Sequence, residues 1–237
     1  MKILVACEES QAVTKELRSL GHEAYSCDII DQSGGHPEWH IKGDALQLIN
    51  GFCEFETTDG VKHSVNSRWD LLIAHPPCTY LSNAGACRLY PVKGQLNKER
   101  YKKGLEAKAF FMEFIRADCD RIAVENPIPS KVFELPPYTQ IIQPYEYGHP
   151  FTKKTCLWLK GLPKLMPTDV VDPKGPYVCG NAEIWKKQAQ NGIVYGKEKS
   201  AKHRSKTFIG IAKAMAIQWA GPCEEILLEE SVDEWML

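Results

Sequence analysis

The chain has 237 residues, 43% of them hydrophobic and 25% charged, with a formal net charge of −1. That usage excludes an intrinsically disordered chain and suits one α/β domain with room for a small appendage. A near-neutral balance also excludes a globally basic nucleic-acid binder, so any surface for a polyanion must be local.

No apolar run approaches the length that spans a bilayer, and no basic leader with an apolar core precedes the first strand-like segment. A soluble, cytoplasmic protein is the expectation. The nine cysteines include no Cys-x-x-Cys pair, and Cys7, Cys27 and Cys156 lie inside apolar strand-like segments. That pattern fits a reducing compartment rather than a disulfide framework. A zinc site from Cys53, His63, His75 and Cys78 would lack the paired short spacings of structural zinc, so no metal is expected.

Lys2 to Cys7 is an apolar run that reads as a buried first strand. Ser10 follows as a candidate N-cap, Val13, Leu17 and Leu20 recur at helical spacing, and Gly21 is a natural stop. His22 to Cys27 reads as a second strand ending at Asp28. An acid about 20 residues beyond the first strand of a β-α-β unit accepts hydrogen bonds from ribose hydroxyls in nucleotide-binding folds. Asp28 as a plain strand-end turn residue stays equally open. Asp44, before an apolar helix-like segment from Ala45 to Ile49, is either an N-cap or a ligand contact at the sheet edge. Residues 51–67 read as a hairpin turning at Asp59-Gly60.

The stretch from Trp69 to Ser82 is the most informative. A short apolar strand runs into Pro76 and Pro77, which lack N–H donors and force the chain out of the sheet. The residue delivered at that exit is Cys78, just beyond the C-terminal end of a strand, where open α/β sheets bind ligands. A small buried core thiol is the plain alternative. A segment rich in glycine and lysine then runs to Gly104 and holds Arg88, Lys93, Lys98, Arg100, Lys102 and Lys103. As a flexible loop it could close over a polyanion, or be an ordinary solvated surface. A helix is expected from about Asn97 to Ala117, with Leu105, Phe110, Phe111 and Phe114 as its apolar stripe.

Arg121 to Pro127 is a second strand ending in a polar-Pro exit, here presenting Glu125 and Asn126. If the two strands are parallel neighbours, thiol and carboxylate face one crevice. Residues 128–152 read as irregular, and Cys156 to Leu159 as a strand preceded by Lys153 and Lys154. Residues 163–203 are polar without a clear period, either a small recognition lobe or a surface loop. Lys206 to Trp219 reads as an amphipathic helix with Phe208, Ile211, Met215 and Trp219 on one face, followed by an acidic tail. The expected division is 1–162 for catalysis and cofactor, 163–203 for target recognition, and 204–237 returning to the first part.

A thiol and a carboxylate in one crevice suit attack on an electron-poor ring, and pyrimidines are the obvious case. Thiolate addition at C6 makes C5 nucleophilic enough to take a methyl group, while a carboxyl group at the ring nitrogen stabilises the developing charge. Pro77-Cys78, Glu125-Asn126 and the strand-helix-strand unit with Asp28 resemble, in motif order, the C5-cytosine-specific DNA methyltransferase family, most of all its short phage and prophage members.

The resemblance implies a Rossmann-like S-adenosylmethionine-dependent methyltransferase fold: α/β, with a mostly parallel sheet, helices on both faces and a small irregular lobe. It implies Cys78 as nucleophile, Glu125 on the Watson–Crick edge of the base, and Lys153 in the basic motif at 152–155. Asp28 would hold the ribose of S-adenosylmethionine and Asp44 its adenine amino group, with Cys7, Glu8, Ser10, Ile29, Ala45, His75 and Pro76 completing the cofactor site. Asn126, Ser82, Arg88 and Lys154 would contact substrate, and residues 209–214 would close the cofactor pocket. The implied partner is duplex DNA with a flipped base, bound by a monomer with no membrane and no metal.

The chain departs from the family at Cys7-Glu-Glu-Ser10 in place of a glycine-rich loop, and at Thr79 in place of glutamine. It also has lysines for arginines at 153 and 154, and no asparagine at Gly210-Ile-Ala212. Three further readings stay open: an exocyclic-amine methyltransferase using His75-Pro-Pro-Cys78, a C5-methyltransferase of free pyrimidine nucleotides, and a non-catalytic relative that binds DNA or a host protein.

Overall fold

The computed structural model describes residues 1–86, 88–177 and 206–223. Nine strands appear among them: β1 (Lys2–Ala6), β2 (Glu23–Asp28), β3 (His40–Lys42), β4 (Cys53–Glu56), β5 (Lys62–Val65), β6 (Leu71–Ala74), β7 (Ile122–Pro127), β8 (Gln140–Ile142) and β9 (Thr155–Lys160). The helices are α1 (Ala12–Ser19), α2 (Asn83–Ala86), α3 (Lys98–Arg116) and α4 (Ile209–Trp219).

Seven strands form one sheet in the order β3-β2-β1-β6-β7-β9-β8. The first five run parallel, and β9 and β8 close the far edge antiparallel. The order reverses between β1 and β6, so the chain leaves these neighbouring strands in opposite directions and opens a crevice at their C-terminal ends. β4 and β5 form the expected hairpin, turning at Asp59 and Gly60.

Strand alternation assigns the two faces. Leu4, Ala6, Leu72, Ala74, Ile122 and Val124 pack with Phe111 and Phe114 of α3. Ile3, Val5, Leu71, Ile73 and Ala123 pack with Val13 and Leu17 of α1 and with Ile211, Met215 and Trp219 of α4. A strand buried on both faces reads as a continuous apolar run, which is how β1 and β6 look in the sequence. The fold is therefore α/β, mostly parallel, with helices on both faces.

Several local expectations are corrected. The N-cap of α1 is Gln11, in the left-handed region, not Ser10, and no cap side chain bonds the helix there. α3 begins one residue after Asn97, whose side chain accepts the Arg100 N–H at 3.0 Å. Arg100, Lys102, Lys103 and Gly104 are thus helical rather than part of a flexible loop. Leu105 is 44% exposed; the buried face is Gly104, Phe111 and Phe114, because Gly104 lies directly against the Phe133 ring.

The Ala45–Ile49 segment makes only a short 3-10 turn, Ala45–Gln47. The stretch expected to be irregular contains the edge strand β8. α4 is apolar nearly all round, with Ile209 and Ile217 as its exposed residues of large apolar type, so it is a buried helix rather than an amphipathic one. Of the expected lobe, residues 163–177 carry no regular helix or strand, and 178–203 lie outside the described residues, as does the tail from 224. No helix of the described residues is long and apolar enough to cross a membrane.

Candidate active site

The C-terminal ends of β1, β2, β3, β6 and β7 share one edge, and the candidate residues emerge there. On β6 the ladder ends as the His75 N–H donates to the Ala6 carbonyl at 2.9 Å. Pro76 and Pro77 then take the chain out of the sheet and present Cys78, which is partly buried. Ala74 pairs with Val124, so the next pair in register sets His75 beside Glu125. His75 Nδ1 lies 3.5 Å from Glu125 Oε2, with both side chains largely buried.

The two exits are tied together. The Asn83 N–H donates to the Ile128 carbonyl at 2.8 Å, and the Ser130 N–H to the Leu81 carbonyl at 2.7 Å. A bridge between Ser82 and Pro129 completes the pairing. From the other side the Arg100 guanidinium donates to the carbonyls of Thr79 (3.0 Å) and Gly85 (3.1 Å) and covers the Tyr80 ring at 4.8 Å. The sequence assigns Arg100 no role beyond a cation in the basic stretch and a place within the helix expected from about Asn97; the structure sets it on the first turn of α3, capped by Asn97.

Thiol, carboxylate and lysine act on one another. Burial and then the Glu125 carboxylate push the Cys78 thiol above its ordinary range, and Lys153 pulls it back. Burial works to raise the Glu125 pKa, but His75 and Lys153 outweigh it and hold this carboxyl below its ordinary value. At neutral pH the free protein holds a protonated thiol beside an ionised carboxylate. Lys153 also stands over the Phe208 ring at 5.9 Å, and Phe208 meets Tyr177 at 4.7 Å between centroids. The two described flanks of segment 178–205 therefore meet beside Lys153. Lys154 is exposed.

Other candidates fall elsewhere. Asn126 is fully buried and, by strand alternation, occupies the α3 face of β7, opposite to Glu125; its amide donates to the Pro127 carbonyl at 2.6 Å. Ser82 is buried and accepts the Gly85 N–H at 3.2 Å, which caps α2. Arg88 is exposed on the loop before α3, and Pro76 is buried under the exit turn.

The β1–β3 half of the edge collects acids. Glu8 is buried and accepts three hydrogen bonds, from the Val13 N–H (2.6 Å), the Thr14 N–H (3.2 Å) and the Thr14 hydroxyl (2.7 Å). This carboxylate, not Ser10, satisfies the free N–H groups at the start of α1. Burial nonetheless leaves its pKa raised, against the opposing pull of His75 and these bonds.

Cys7 and Gln11 take positive φ values of 58° and 56°, the conformations that a glycine-rich loop would supply freely. For L-residues each costs roughly 1 kcal/mol. Gln11 is held there by its own side chain, which bonds the backbone of His36 in both directions, at 2.8 and 3.1 Å. Asp28 is half-buried, with burial raising its pKa, and accepts the Ile30 N–H at 3.2 Å. Asp44 caps the Leu46 N–H at 3.0 Å, so its N-cap role is met, and Ala45 is buried beside it. Burial and then Asp28 drive up the thiols of Cys7 and Cys27, the latter to about 12. Ile29 stands 75% exposed directly after Asp28.

This half of the crevice suits a ligand with hydroxyls, positive charge and a flat apolar part. It does not suit a pyrophosphate, because the α1 N-terminus is already occupied by a carboxylate. Among the described residues, no group of three or more His, Cys, Asp or Glu is placed to hold a metal ion.

No protein-family description matches the chain, and no curated protein matches it. Among solved structures it is similar to a prophage-encoded protein of E. coli that carries the provisional description of a DNA modification methyltransferase. The identity is 14%, the TM-score 0.40, and the match covers 72% of this chain and 51% of that one. The chain thus spans about half the length of that protein. At this level the likeness fixes neither activity nor substrate.

Proposed function

We propose that the protein is an S-adenosylmethionine-dependent methyltransferase that modifies C5 of cytosine in DNA through a covalent Cys78 adduct. The observation that carries this reading is the pairing of the two strand exits. The Cys78 loop is hydrogen-bonded to residues 128–130, which directly follow the strand that carries Glu125, and thiol and carboxylate interact beside the β1–β6 crevice. The order of the motifs along the chain supports it too.

The residues of the β1–β3 edge fit the cofactor. Asp28 would take the ribose hydroxyls, exposed Ile29 the adenine face and Asp44 the adenine amino group, while buried Glu8 holds the start of α1. When bound, S-adenosylmethionine supplies an electrophilic methyl carbon.

The chain's own groups do the rest. Cys78 Sγ bonds to C6 of the ring, and its proton passes to the Glu125 carboxylate, which is ionised in the free protein. As electrons move from the C5–C6 double bond into the ring, Glu125 delivers that proton to N3. C5 thereby gains the electron density to bond the methyl carbon. The C5 hydrogen then leaves as a proton to solvent water, the C6–S bond breaks with its electron pair returning to sulfur, and the N3 proton returns through Glu125 to that sulfur. Lys153 opposes the charge on both the sulfur and the carboxylate, easing thiolate formation. A base inside a duplex cannot reach a buried thiol, so the cytosine must leave the stack.

The direct test is transfer of labelled methyl groups to duplex DNA, single-stranded DNA, RNA and free dCMP, with the product nucleoside identified by mass. The reading predicts 5-methylcytosine in DNA. Labelled dCMP alone would reassign the substrate, and an N-methylated base would overturn the adduct chemistry.

A further inference from the structure

The crevice contains one polar ring, that of His75, which the adduct chemistry leaves without a role and which the resemblance counts only in the cofactor site. His75 is the last residue of the β6 ladder, and its backbone bonds to β1. Its side chain is 10% exposed, and among the described residues neither ring nitrogen makes a well-formed hydrogen bond, Nδ1 having only the long 3.5 Å contact to Glu125. Unbonded ring nitrogens in a buried site are costly unless another interaction answers them. Here the neighbour that answers them is the Glu125 carboxylate, 3.5 Å away on β7.

Glu8 is immobile, since three hydrogen bonds fix it to α1. Among the described residues Glu125 has no comparable set. The groups that act on it are His75 from β6 and Lys153 before β9, and the thiols of Cys78 and Cys156 are raised by burial first and then by its charge. A shift of about half an ångström would turn the 3.5 Å contact into a hydrogen bond.

We infer that His75 is the positioning residue for Glu125: its imidazole, fixed at the end of the β6 ladder 3.5 Å from the carboxylate, aims Glu125 at the pyrimidine. The inference rests on the C5-methyltransferase reading for what Glu125 does, but not for how His75 holds it. It also accounts for a histidine before Pro76, where a small residue would leave Glu125 unaimed.

The test uses the full-length protein labelled with 13C at the glutamate carboxyl, titrated by NMR without DNA or cofactor, with Glu125→Gln assigning the resonance. In wild type the Glu125 carboxyl titrates below the ordinary carboxylate range, held there by His75 and Lys153 against its burial. His75→Phe, which keeps the ring and removes both nitrogens, raises the midpoint by roughly one unit or more. His75→Asn, which keeps a donor near the Nδ1 position, gives a smaller rise and carries the test if the phenylalanine variant fails to fold.

A second arm follows adduct formation with a 5-fluorocytosine duplex. The His75 variants should slow it by about 10- to 100-fold with duplex affinity unchanged. A Glu125 titration that ignores both substitutions overturns the inference, whatever the activity. A wild-type protein that forms no adduct while its Glu125 titration moves in the variants overturns the methyltransferase reading and leaves the positioning role standing.

Discussion

The Ser130 N–H donates to the Leu81 carbonyl at 2.7 Å, and through that bond the loop carrying the thiol and the segment that follows the carboxylate's strand hold a single arrangement. Two polar-Pro segments on adjacent strands are not enough to build a site, because proline can only end a ladder. The backbone pairing of residues 81–83 with 128–130 decides where the exits go. It fixes the Cys78–Glu125 relationship before any ligand arrives.

The first prediction concerns the thiol. Burial and Glu125 both raise its pKa, and Lys153 lowers it, so alkylation of Cys78 by iodoacetamide should be slow at neutral pH and climb steeply on the alkaline side. Removing the negative charge with Glu125→Gln should shift that rate profile to lower pH. Lys153→Met should shift it to higher pH. Peptide mapping of Cys78 labelling against pH reads both signs, and a Glu125→Gln profile displaced upward would contradict the electrostatics.

Glu8 gives a prediction about stability. Glu8→Ala removes the acceptor for three donors at the start of α1 and should cost about 2 kcal/mol, as the strongest helix caps do. Urea denaturation measures it. Because the site lies under α1, the variant should also lose affinity for S-adenosylmethionine in calorimetry, whereas Ser10→Ala should change neither.

Gly210 tests the seat of α4. A Cβ there would collide with the Tyr147 carbonyl, a backbone atom that cannot swing aside. Gly210→Ala should therefore destabilise by about 1–3 kcal/mol despite its gain in helix propensity. Thermal unfolding checks this, with exposed Ile217→Ala as the control of small effect.

Much of this was legible in the sequence. The apolar runs of β1 and β6, the helix-spaced residues of α1 with Gly21 behind them at φ 82°, and the exit at Pro76-Pro77 each carry local signals that the tertiary structure respects, whereas Pro127 stays within its strand and pairs with Thr155 of β9. The parallel neighbourhood of β6 and β7, which brings Cys78 and Glu125 together, was a conditional expectation that the sheet order meets.

Other features were not legible because their causes are not local. Nothing near Glu8 announces that its side chain, rather than that of Ser10, would cap α1. That depends on Cys7 turning through a left-handed conformation that a cysteine seldom adopts. Leu105 was read as buried because the periodicity cannot reveal that Phe133, from a distant 3-10 turn, fills the space above Gly104. The three-residue β8 exists only as a partner for β9 and has no period of its own. Asn126 beside Glu125 looks like a site residue, yet alternation along a strand sends adjacent side chains to opposite faces.

Cys78→Ser separates the chemistries. A serine hydroxyl is too weak a nucleophile to replace the thiol, so C5 methylation should fall by about three orders of magnitude or more, with the fold intact by circular dichroism. An enzyme that methylates an exocyclic amine needs no adduct and would keep most of its activity in the same variant.

The central claim is that sulfur at position 78 bonds to a pyrimidine ring, and trapping tests it most directly. Wild-type protein should be incubated with S-adenosylmethionine and a set of duplexes containing 5-fluorocytosine, in which fluorine replaces the hydrogen that must leave. The account predicts a covalent complex stable to denaturation, carrying the methyl group, whose digestion places the nucleotide on Cys78 and which Cys78→Ser does not form. A protein that binds the cofactor and the duplexes yet yields no adduct, or one attached at another residue, would contradict it.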